Sequence, residues 1–125
     1  VGEGRTRRTL LLTGDVEATA ERRLVARYGD GLRADVLVAP HHGSRTSSSA
    51  AFVSSTAPAL VLFPTGYGNR WGFPSPEVAA RWRAAGASVR DTASDGALTV
   101  RVTAGRRPLR VRAARDVARR YWMPK

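Results

Sequence analysis

The sequence predicts an α/β fold in which strands and helices alternate along the chain and an antiparallel hairpin follows. Short apolar runs bounded by glycine, proline or polar turns alternate with segments of helical periodicity. After residue 86 the apolar residues recur at every second position, which is typical of strands with one solvated face. This order of elements is that of a layered α/β protein.

The first predicted strand covers residues 8–13, is expected to be buried, and ends at Gly14 and Asp15. A helix is predicted over residues 16–28, because residues four apart form one apolar stripe. The members of that stripe are Val16, Ala20, Leu24 and Tyr28. Gly29 is expected to end this helix.

Two further buried strands are predicted over residues 35–39 and 59–63, which are continuous apolar runs. Between them, residues 49–57 are expected to form a short helix with a serine N-cap. Another helix is predicted to begin after Ser75, with Pro76 at its first position. Its buried face is predicted to carry Val78, Trp82 and Ala85.

The last elements are predicted to be antiparallel strands. Residues 87–91 form one strand, and the alternating runs 98–103 and 109–113 form a hairpin around a loop at residues 104–108. Residues 116–122 are expected to form either a short helix or part of a tail.

The composition sets bounds on size and ligand chemistry. At 125 residues, 42% of them hydrophobic, the chain is one domain or part of one. It has no apolar run of about 18 residues that would span a membrane, and no signal peptide is visible. The lack of an initiator methionine suggests a fragment of a longer protein. Without cysteine, any metal ion would need imidazole and carboxylate ligands.

Positive charge is concentrated towards the C-terminus. The net charge is +11, and residues 101–125 hold 9 basic residues and 1 acidic residue, against 12 and 9 in residues 1–100. Such an end suits a polyanion, either nucleic acid or anionic lipid headgroups. The alternative is a merely solvated terminus.

Three loops that follow predicted strands hold nearly all the unusual polar residues of the chain. They are residues 13–15, 40–49 and 65–74. In α/β folds, ligands gather at the loops beyond the carboxyl ends of the strands. The sequence therefore predicts a functional site at this edge of the sheet.

Asp15, His41 and His42 are the candidate catalytic and metal-binding residues. Asp15 follows a strand and a glycine, where a carboxylate can bind a cation, or it caps the following helix. In an extended backbone, neighbouring side chains point to opposite sides. One histidine is therefore expected to bind an ion and the other to orient it or face substrate. The alternative is a pair of loop histidines bonded to backbone.

The candidate substrate-binding residues are Ser44, Ser47, Asn69 and Arg70. The two serines precede a predicted helix and could donate to phosphate oxygens, or they could serve that helix as caps. The amide and the guanidinium lie in a glycine-rich loop with Tyr67 and Trp71. That set suits phosphate contact and base stacking, or else forms a packed surface loop.

Four motifs occur in an order and spacing that resemble a known family. They are the Thr-Gly-Asp motif at residues 11–17, the Pro-His-His-Gly-Ser motif at 38–44 with the serines at 47 and 48, the segment 66–78, and residues 91–92 with 95–97. Together they resemble the C-terminal metallo-β-lactamase-like domain of the ComEC family, the membrane channel proteins of DNA uptake in natural competence. The resemblance covers about residues 8–103.

The resemblance implies an αββα sandwich, with a mixed sheet, helices outside and the C-terminal hairpin. Residues 1–113 would be its C-terminal half and residues 114–125 a basic tail. It implies a metal-dependent nuclease that degrades the DNA strand that is not imported, with zinc or manganese as its divalent metal. Asp15 would be the bridging carboxylate of a two-metal site, and His41 or His42 the late histidine ligand. The implied setting is a soluble, extracytoplasmic domain of an inner-membrane protein.

Two departures from the family pattern matter. The main ligand signature, a His-x-Asp-x-Asp-His run upstream of the Thr-Gly-Asp motif, is absent, so this chain alone is expected to be inactive and can lack bound metal. Phe73 stands where the family has a histidine.

The expected partners are single-stranded DNA and the remainder of the membrane protein. Half a sandwich would also leave a sheet edge uncovered, which allows self-association. Two other functions stay open from the sequence. One is a non-catalytic DNA-binding or scaffolding element that uses the basic tail and residues 67–71. The other is a metallo-hydrolase of the same fold that acts on another substrate.

Overall fold

The computed structural model describes residues 7–105 and 107–117, whose strands form two sheets. The first sheet has four parallel strands in sequential order: β1 (Leu10–Leu12), β2 (Val36–Val38), β3 (Leu60–Phe63) and β4 (Ser88–Asp91). The second is an antiparallel pair, β5 (Leu98–Arg101) and β6 (Arg110–Ala113).

Helices follow the strands in alternation, as the sequence predicts. They are α1 (Ala18–Tyr28), α2 (Ala50–Thr56), α3 (Pro76–Ala84), α4 (Thr92–Asp95) and α5 (Ala114–Val117), with 3₁₀ turns at Gly29–Leu32 and Pro40–Gly43. None of the helices in the described residues is long and apolar enough to cross a membrane.

The predicted α/β class and the C-terminal hairpin are confirmed, but the predicted mixed sheet is not found in the described residues. Strand β4, expected to be antiparallel, pairs parallel with β3. The reason is that α3 lies between these strands and returns the chain to the same end of the sheet, as parallel pairing requires. The domain boundary after residue 113 stays a prediction, and most of the segment 116–122 lies outside the described residues.

The core includes apolar side chains of the parallel sheet and of helices α2 and α3. Phe52 and Trp82 are fully buried, and their rings meet edge to face with centroids 6.5 Å apart. Burial of each such side chain contributes about 1.5–3 kcal/mol to stability. On α3 the buried residues include Ala79, whereas the predicted Ala85 is exposed because the helix ends at Ala84.

Strand β1 is an edge strand and not the buried strand that the sequence predicts. Leu11 packs against the core, but Leu10 and Leu12 are 54% and 69% exposed. The apolar run therefore predicted burial correctly for Leu11 and wrongly for its two neighbours. An apolar, unpaired edge of this kind favours pairing with another strand.

The apolar stripe predicted for α1 is wrong at its last member, because Tyr28 is exposed. The fully buried residue of this helix is instead Glu21, which was not part of the stripe. The Glu21 carboxylate accepts hydrogen bonds from the backbone N–H groups of Ser48 (2.6 Å) and Ser49 (2.7 Å). Arg81 donates to the carbonyl of Ser48 (2.6 Å), and the indole N–H of Trp82 donates to its hydroxyl (3.1 Å). We call these residues the Glu21 clamp; they join α1, α3 and the segment before α2.

The two predicted serine N-caps have different outcomes. Ser49 caps α2, since its hydroxyl accepts the N–H of Phe52 (3.3 Å). Ser75 precedes α3 as predicted, but its side chain makes no capping bond. Instead its backbone N–H donates to the carbonyl of Gly43 (2.9 Å), which ties the start of α3 to the loop after β2.

The end of β4 and the helix α4 after it hold their polar residues in structural roles. Asp91 caps α4 by accepting the N–H of the residue three positions on (2.7 Å). The hydroxyl of Thr92 accepts from the backbone of Thr65 and donates back to it (2.9 and 2.7 Å). The hydrogen bond from Arg90 to Asp95 (2.9 Å) raises the pKa of Arg90 above its ordinary value, because it stabilises the charged guanidinium.

We expect Glu21→Gln to lower the free energy of unfolding by about 2–3 kcal/mol, because one buried N–H would face an amide NH₂ instead of an oxygen. Urea denaturation monitored by circular dichroism would measure the change. The control is Glu77→Gln, which removes an exposed ion pair with Arg45 (3.3 Å) and should change stability by less than about 1 kcal/mol. Equal losses in the two variants would contradict a structural role for the clamp.

Candidate functional site

The loops after β1, β2 and β3 meet at one end of the parallel sheet. The N–H of His41 donates to the carbonyl of Gly14 (2.9 Å), which joins the first two loops. A cleft of about 530 Å³ opens here. It is lined by His41, His42, Pro64, Thr65, Gly66, Asn69, Trp71 and Phe73. The predicted position of the site, beyond the carboxyl ends of the strands, therefore agrees with this cleft.

Both histidines have a left-handed backbone, and the extended backbone assumed from the sequence is wrong. Their φ angles are +47° for His41 and +56° for His42. Such angles are uncommon outside glycine and persist where neighbouring contacts hold them. As a result the two rings do not point to opposite sides: their centroids are 6.3 Å apart, and both line the cleft.

His42 and Asp15 form a pair at the mouth of this site. The Nδ1 atom of His42 lies 2.8 Å from the carbonyl oxygen of Pro64. Because a carbonyl only accepts, Nδ1 must carry the proton, and in the neutral ring Nε2 is an acceptor. Nε2 lies 3.5 Å from Oδ1 of Asp15, so two electron-pair donors face each other. The contact is satisfied when a proton or a metal ion lies between them.

Asp15 does not cap the following helix. The N-cap position of α1 belongs to Glu17, which makes no capping bond with its side chain. The side chain of Asp15 is mostly exposed and has His42 as its contact. The helix-cap alternative is therefore wrong, and the residue is free for a role in the cleft.

His41 pairs with Glu17, which is not among the candidate site residues predicted from the sequence. Nδ1 of His41 lies 2.9 Å from Oε1 of Glu17, and the hydroxyl of Thr46 donates to the same oxygen (3.1 Å). A carboxylate bonded to one ring nitrogen fixes the orientation of the imidazole. The signal that could have revealed Glu17 is its spacing of two residues from Asp15 in the loop after β1.

Asp15 and His42 have the kinds of donor atom that metal ions bind, and their spacing can be compared with that of a metal site. Among residues 7–105 and 107–117, no group of three or more His, Asp or Glu side chains could hold a metal ion. The separation of 3.5 Å between Asp15 and His42 is close to the ~3.4 Å expected for two ligands of one tetrahedral zinc ion. Zinc sites use three or four protein ligands. This donor set thus fits two ligands of a site and does not complete one.

Ser44 and Ser47 are buried within the loop rather than open to the cleft. The hydroxyl of Ser47 donates to the carbonyls of Pro40 and Ser44 (2.9 and 2.8 Å). The hydroxyl of Ser44 lies 3.0 Å from that of Thr46 and accepts its N–H (3.3 Å). Both serines therefore hold the shape of the loop that carries the histidines.

Asn69 and Arg70 have different surroundings. The amide of Asn69 donates to the carbonyls of Gly66 (2.9 Å) and Phe73 (2.7 Å) and accepts the N–H of Phe73 (2.8 Å). It closes the loop after β3 and lines the cleft. Arg70 is exposed, with its guanidinium 4.6 Å from the centroid of the Trp71 ring. Of Asn69 and Arg70, it is therefore Arg70 whose N–H groups face solvent and can bind a ligand.

Aromatic rings form one wall of the cleft. Phe73, which stands where a histidine was expected, stacks on Trp71 with centroids 6.3 Å apart and an interplanar angle of 19°. It also lies 6.1 Å from the ring of His41. An apolar ring therefore occupies this position, which excludes proton transfer by residue 73 and favours contact with a flat ligand.

This chain is similar to segments of much longer curated proteins. It is 38% identical over 116 residues to competence protein ComA of Neisseria gonorrhoeae, which covers 93% of this chain and 16% of that protein. The similarity supports a ComEC-related competence protein. Recombination protein 2 of Haemophilus influenzae is 36% identical over 92 residues, 74% of this chain and 11% of that protein.

The uncharacterized protein YcaI of Escherichia coli strain K12 is also similar, with 38% identity over 96 residues, 77% of this chain and 13% of that protein. No family model and no solved structure matches the chain. The metallo-β-lactamase assignment therefore stays a prediction. The chain spans between about one ninth and one sixth of the length of these relatives. The similarity therefore does not establish the activity of a whole protein of this kind.

We expect the neutral ring of His42 to carry its proton on Nδ1, because that nitrogen must donate to the carbonyl of Pro64. Two-bond ¹H–¹⁵N correlation spectra distinguish the two tautomers. The ring of His41, whose Nδ1 also faces an oxygen, gives a second set of signals in the same spectrum. A neutral His42 with its proton on Nε2 would contradict the geometry, since the ring would then donate to Asp15.

We expect Gly43→Ala to destabilise the protein by about 3 kcal/mol. Its φ is +83°, and an added Cβ would lie 2.6 Å from the Phe63 ring and 2.8 Å from Pro74. The matched control is Gly68→Ala, where φ is +62° but nothing lies within 4 Å, so only a backbone term of about 1 kcal/mol applies. Urea midpoints of both variants measure the difference. Similar losses would show that packing at Gly43 is unimportant.

Proposed function

We propose that this chain is part of the metal-dependent hydrolase domain of a ComEC-type DNA-uptake protein, and that the domain cleaves phosphodiester bonds of the strand that is not imported. The observation that carries the proposal is the Asp15–His42 pair, whose facing donor atoms are 3.5 Å apart. The similarity to a competence protein over 93% of the chain supports the DNA-uptake setting.

The pair supports hydrolysis because its two facing acceptors, 3.5 Å apart, can both bind one cation. A divalent ion such as zinc or manganese, when bound, would supply a Lewis acid and an activated water. Asp15 and His42 would bind it, and the Pro64 carbonyl would keep the ring of His42 in the required tautomer. His41, oriented by Glu17, would be a further ligand or would hold a proton next to the substrate.

Four residues are proposed to serve the substrate in two ways. Arg70 would contact a phosphate directly, since its guanidinium is exposed and can bind two phosphate oxygens. Ser44, Ser47 and Asn69 would keep the loops in shape, because their polar atoms are bonded within those loops. Their contribution to substrate binding would then be indirect.

The remaining ligands would come from another part of the protein. We propose that this part covers the exposed Leu10 and Leu12 on the edge strand, and that a second copy could pair there in its absence. The domain would lie outside the cytoplasm, attached to the membrane-embedded remainder of a DNA-uptake protein. The isolated chain would therefore be inactive.

A second candidate function is DNA binding without catalysis. It is favoured by two exposed aromatic rings in the loop after β3, Tyr67 (69%) and Trp71 (63%). Arg70 lies over the Trp71 ring, and the guanidinium of Arg115 lies 5.6 Å from the centroid of Tyr67. Aromatic rings combined with arginine suit the stacking of unpaired bases.

We expect Asp15→Asn and His42→Ala in the intact protein to lower hydrolysis of labelled single-stranded DNA by about 100-fold or more, because each removes a proposed metal ligand. Manganese or zinc binding, measured by calorimetry, should weaken in parallel. The control is Asp30→Asn, an exposed carboxylate in the 3₁₀ turn after α1.

Two results would contradict the proposal in different ways. Unchanged hydrolysis in both site variants would remove the proposed role of the pair. Hydrolysis by the 125-residue chain alone would show that the site is complete without other segments. Salt-sensitive DNA binding with no hydrolysis in the intact protein would favour the second candidate function.

A further inference from the structure

The hairpin β5–β6 carries a charged face that the proposed hydrolytic site does not use. Thr99 lies directly opposite Arg112, and Arg101 lies directly opposite Arg110. Residues two apart on a strand share a face of the sheet, so these four side chains lie on the same side. All four are exposed. We call them the arginine face.

Within the described part of the chain, no carboxylate pairs with the three arginines of this face. The acidic residues nearest to the hairpin in sequence, Asp95 and Asp116, both contact Arg90 instead (2.9 and 3.7 Å). Like charges directly opposite each other destabilise a strand pair. The Arg101–Arg110 pair thus lowers the stability of the hairpin unless an anion lies between the two guanidinium groups.

The arginine face opens onto two adjoining clefts that share Arg101 and Arg110. The larger, of about 420 Å³, is also lined by Thr99, Val111 and Arg112. The smaller, of about 250 Å³, is also lined by Thr103, Arg107 and Pro108. Because guanidinium groups bind phosphate through two parallel hydrogen bonds, each cleft offers the chemistry of a phosphate site. Two sites side by side suit a chain of phosphates better than a single anion.

We propose that the arginine face binds the phosphate backbone of single-stranded nucleic acid, with neighbouring phosphates in the two clefts. The four side chains of the face are threonine and arginine, without the aromatic or large aliphatic residues that insert into a bilayer. Nucleic acid is therefore favoured over an anionic membrane. The choice of a single strand rests on the proposed function, whereas the charge and the clefts stand on the hairpin alone.

The test is fluorescence anisotropy with a labelled oligothymidine in the presence of a metal chelator, which separates binding from metal-dependent hydrolysis. The variant is Arg101→Gln/Arg110→Gln/Arg112→Gln. The matched control is Arg22→Gln/Arg23→Gln/Arg83→Gln, which removes three exposed arginines from α1 and α3 and changes the net charge equally. Circular dichroism and thermal unfolding verify that each variant is folded.

Loss of three phosphate contacts should make the slope of log K against log salt shallower by about 2. The affinity difference from the native protein should then shrink by about 16-fold between 50 and 200 mM salt. The control variant should keep nearly the native slope. The Arg101→Lys/Arg110→Lys/Arg112→Lys variant keeps the charges but not the paired guanidinium donors, so it should bind more tightly than the glutamine variant and less tightly than the native protein. The comparison with the native protein preserves the test if the glutamine variant does not fold.

Three results would overturn the proposal. One is an equal loss of binding in the hairpin and control variants, which would indicate general charge attraction. Another is native binding in the hairpin variant. The third is hairpin-dependent binding to vesicles that contain phosphatidylserine, with no binding to the oligonucleotide. Because the chelator is present throughout, none of these outcomes depends on whether Asp15 and His42 support hydrolysis.

Discussion

The buried carboxylate of Glu21 is the contact on which the arrangement of the loops depends. A fully buried charge is tolerated only when hydrogen bonds satisfy it, and here two backbone N–H groups before α2 do so. The same short segment is held from the other side by Arg81 and Trp82. Helices α1 and α3 are therefore joined through polar contacts to the end of the loop that carries the histidines, and the loop ends in a fixed place.

That fixed loop explains how two adjacent residues can keep a left-handed backbone. The backbone of His41 is bonded to Gly14, and that of Gly43 to Ser75, so the loops on either side support the turn. Gly43 is packed so closely against Phe63 that no side chain fits. The turn brings both imidazole rings to one cleft, where Asp15 and Glu17 each contact one ring. Strain in the backbone is thus balanced by contacts that lie outside the site.

Charge is divided between two regions of different chemistry. The cleft combines carboxylates with imidazoles, which suits proton or metal chemistry at one point. The hairpin carries arginines without carboxylate partners in the described residues, which suits a long anion held over several contacts. The proposed cleavage of DNA would use both kinds of surface, one to hold the polymer and one to hydrolyse it. The exposed leucines of β1 add a third feature, an apolar edge that fits further protein.

The sequence by itself determined the alternation of strands and helices, the hairpin, the Ser49 cap and the end of the sheet where the cleft opens. Those features depend on local periodicity, turn residues and the general topology of α/β folds. Only the tertiary structure decided that β1 is an edge, that Glu21 is buried, and that Glu17 contacts His41. These depend on which surfaces meet across distant segments. The left-handed backbone that turns both histidines into one cleft was likewise set by contacts from two other loops, which no local pattern around His41 and His42 encodes.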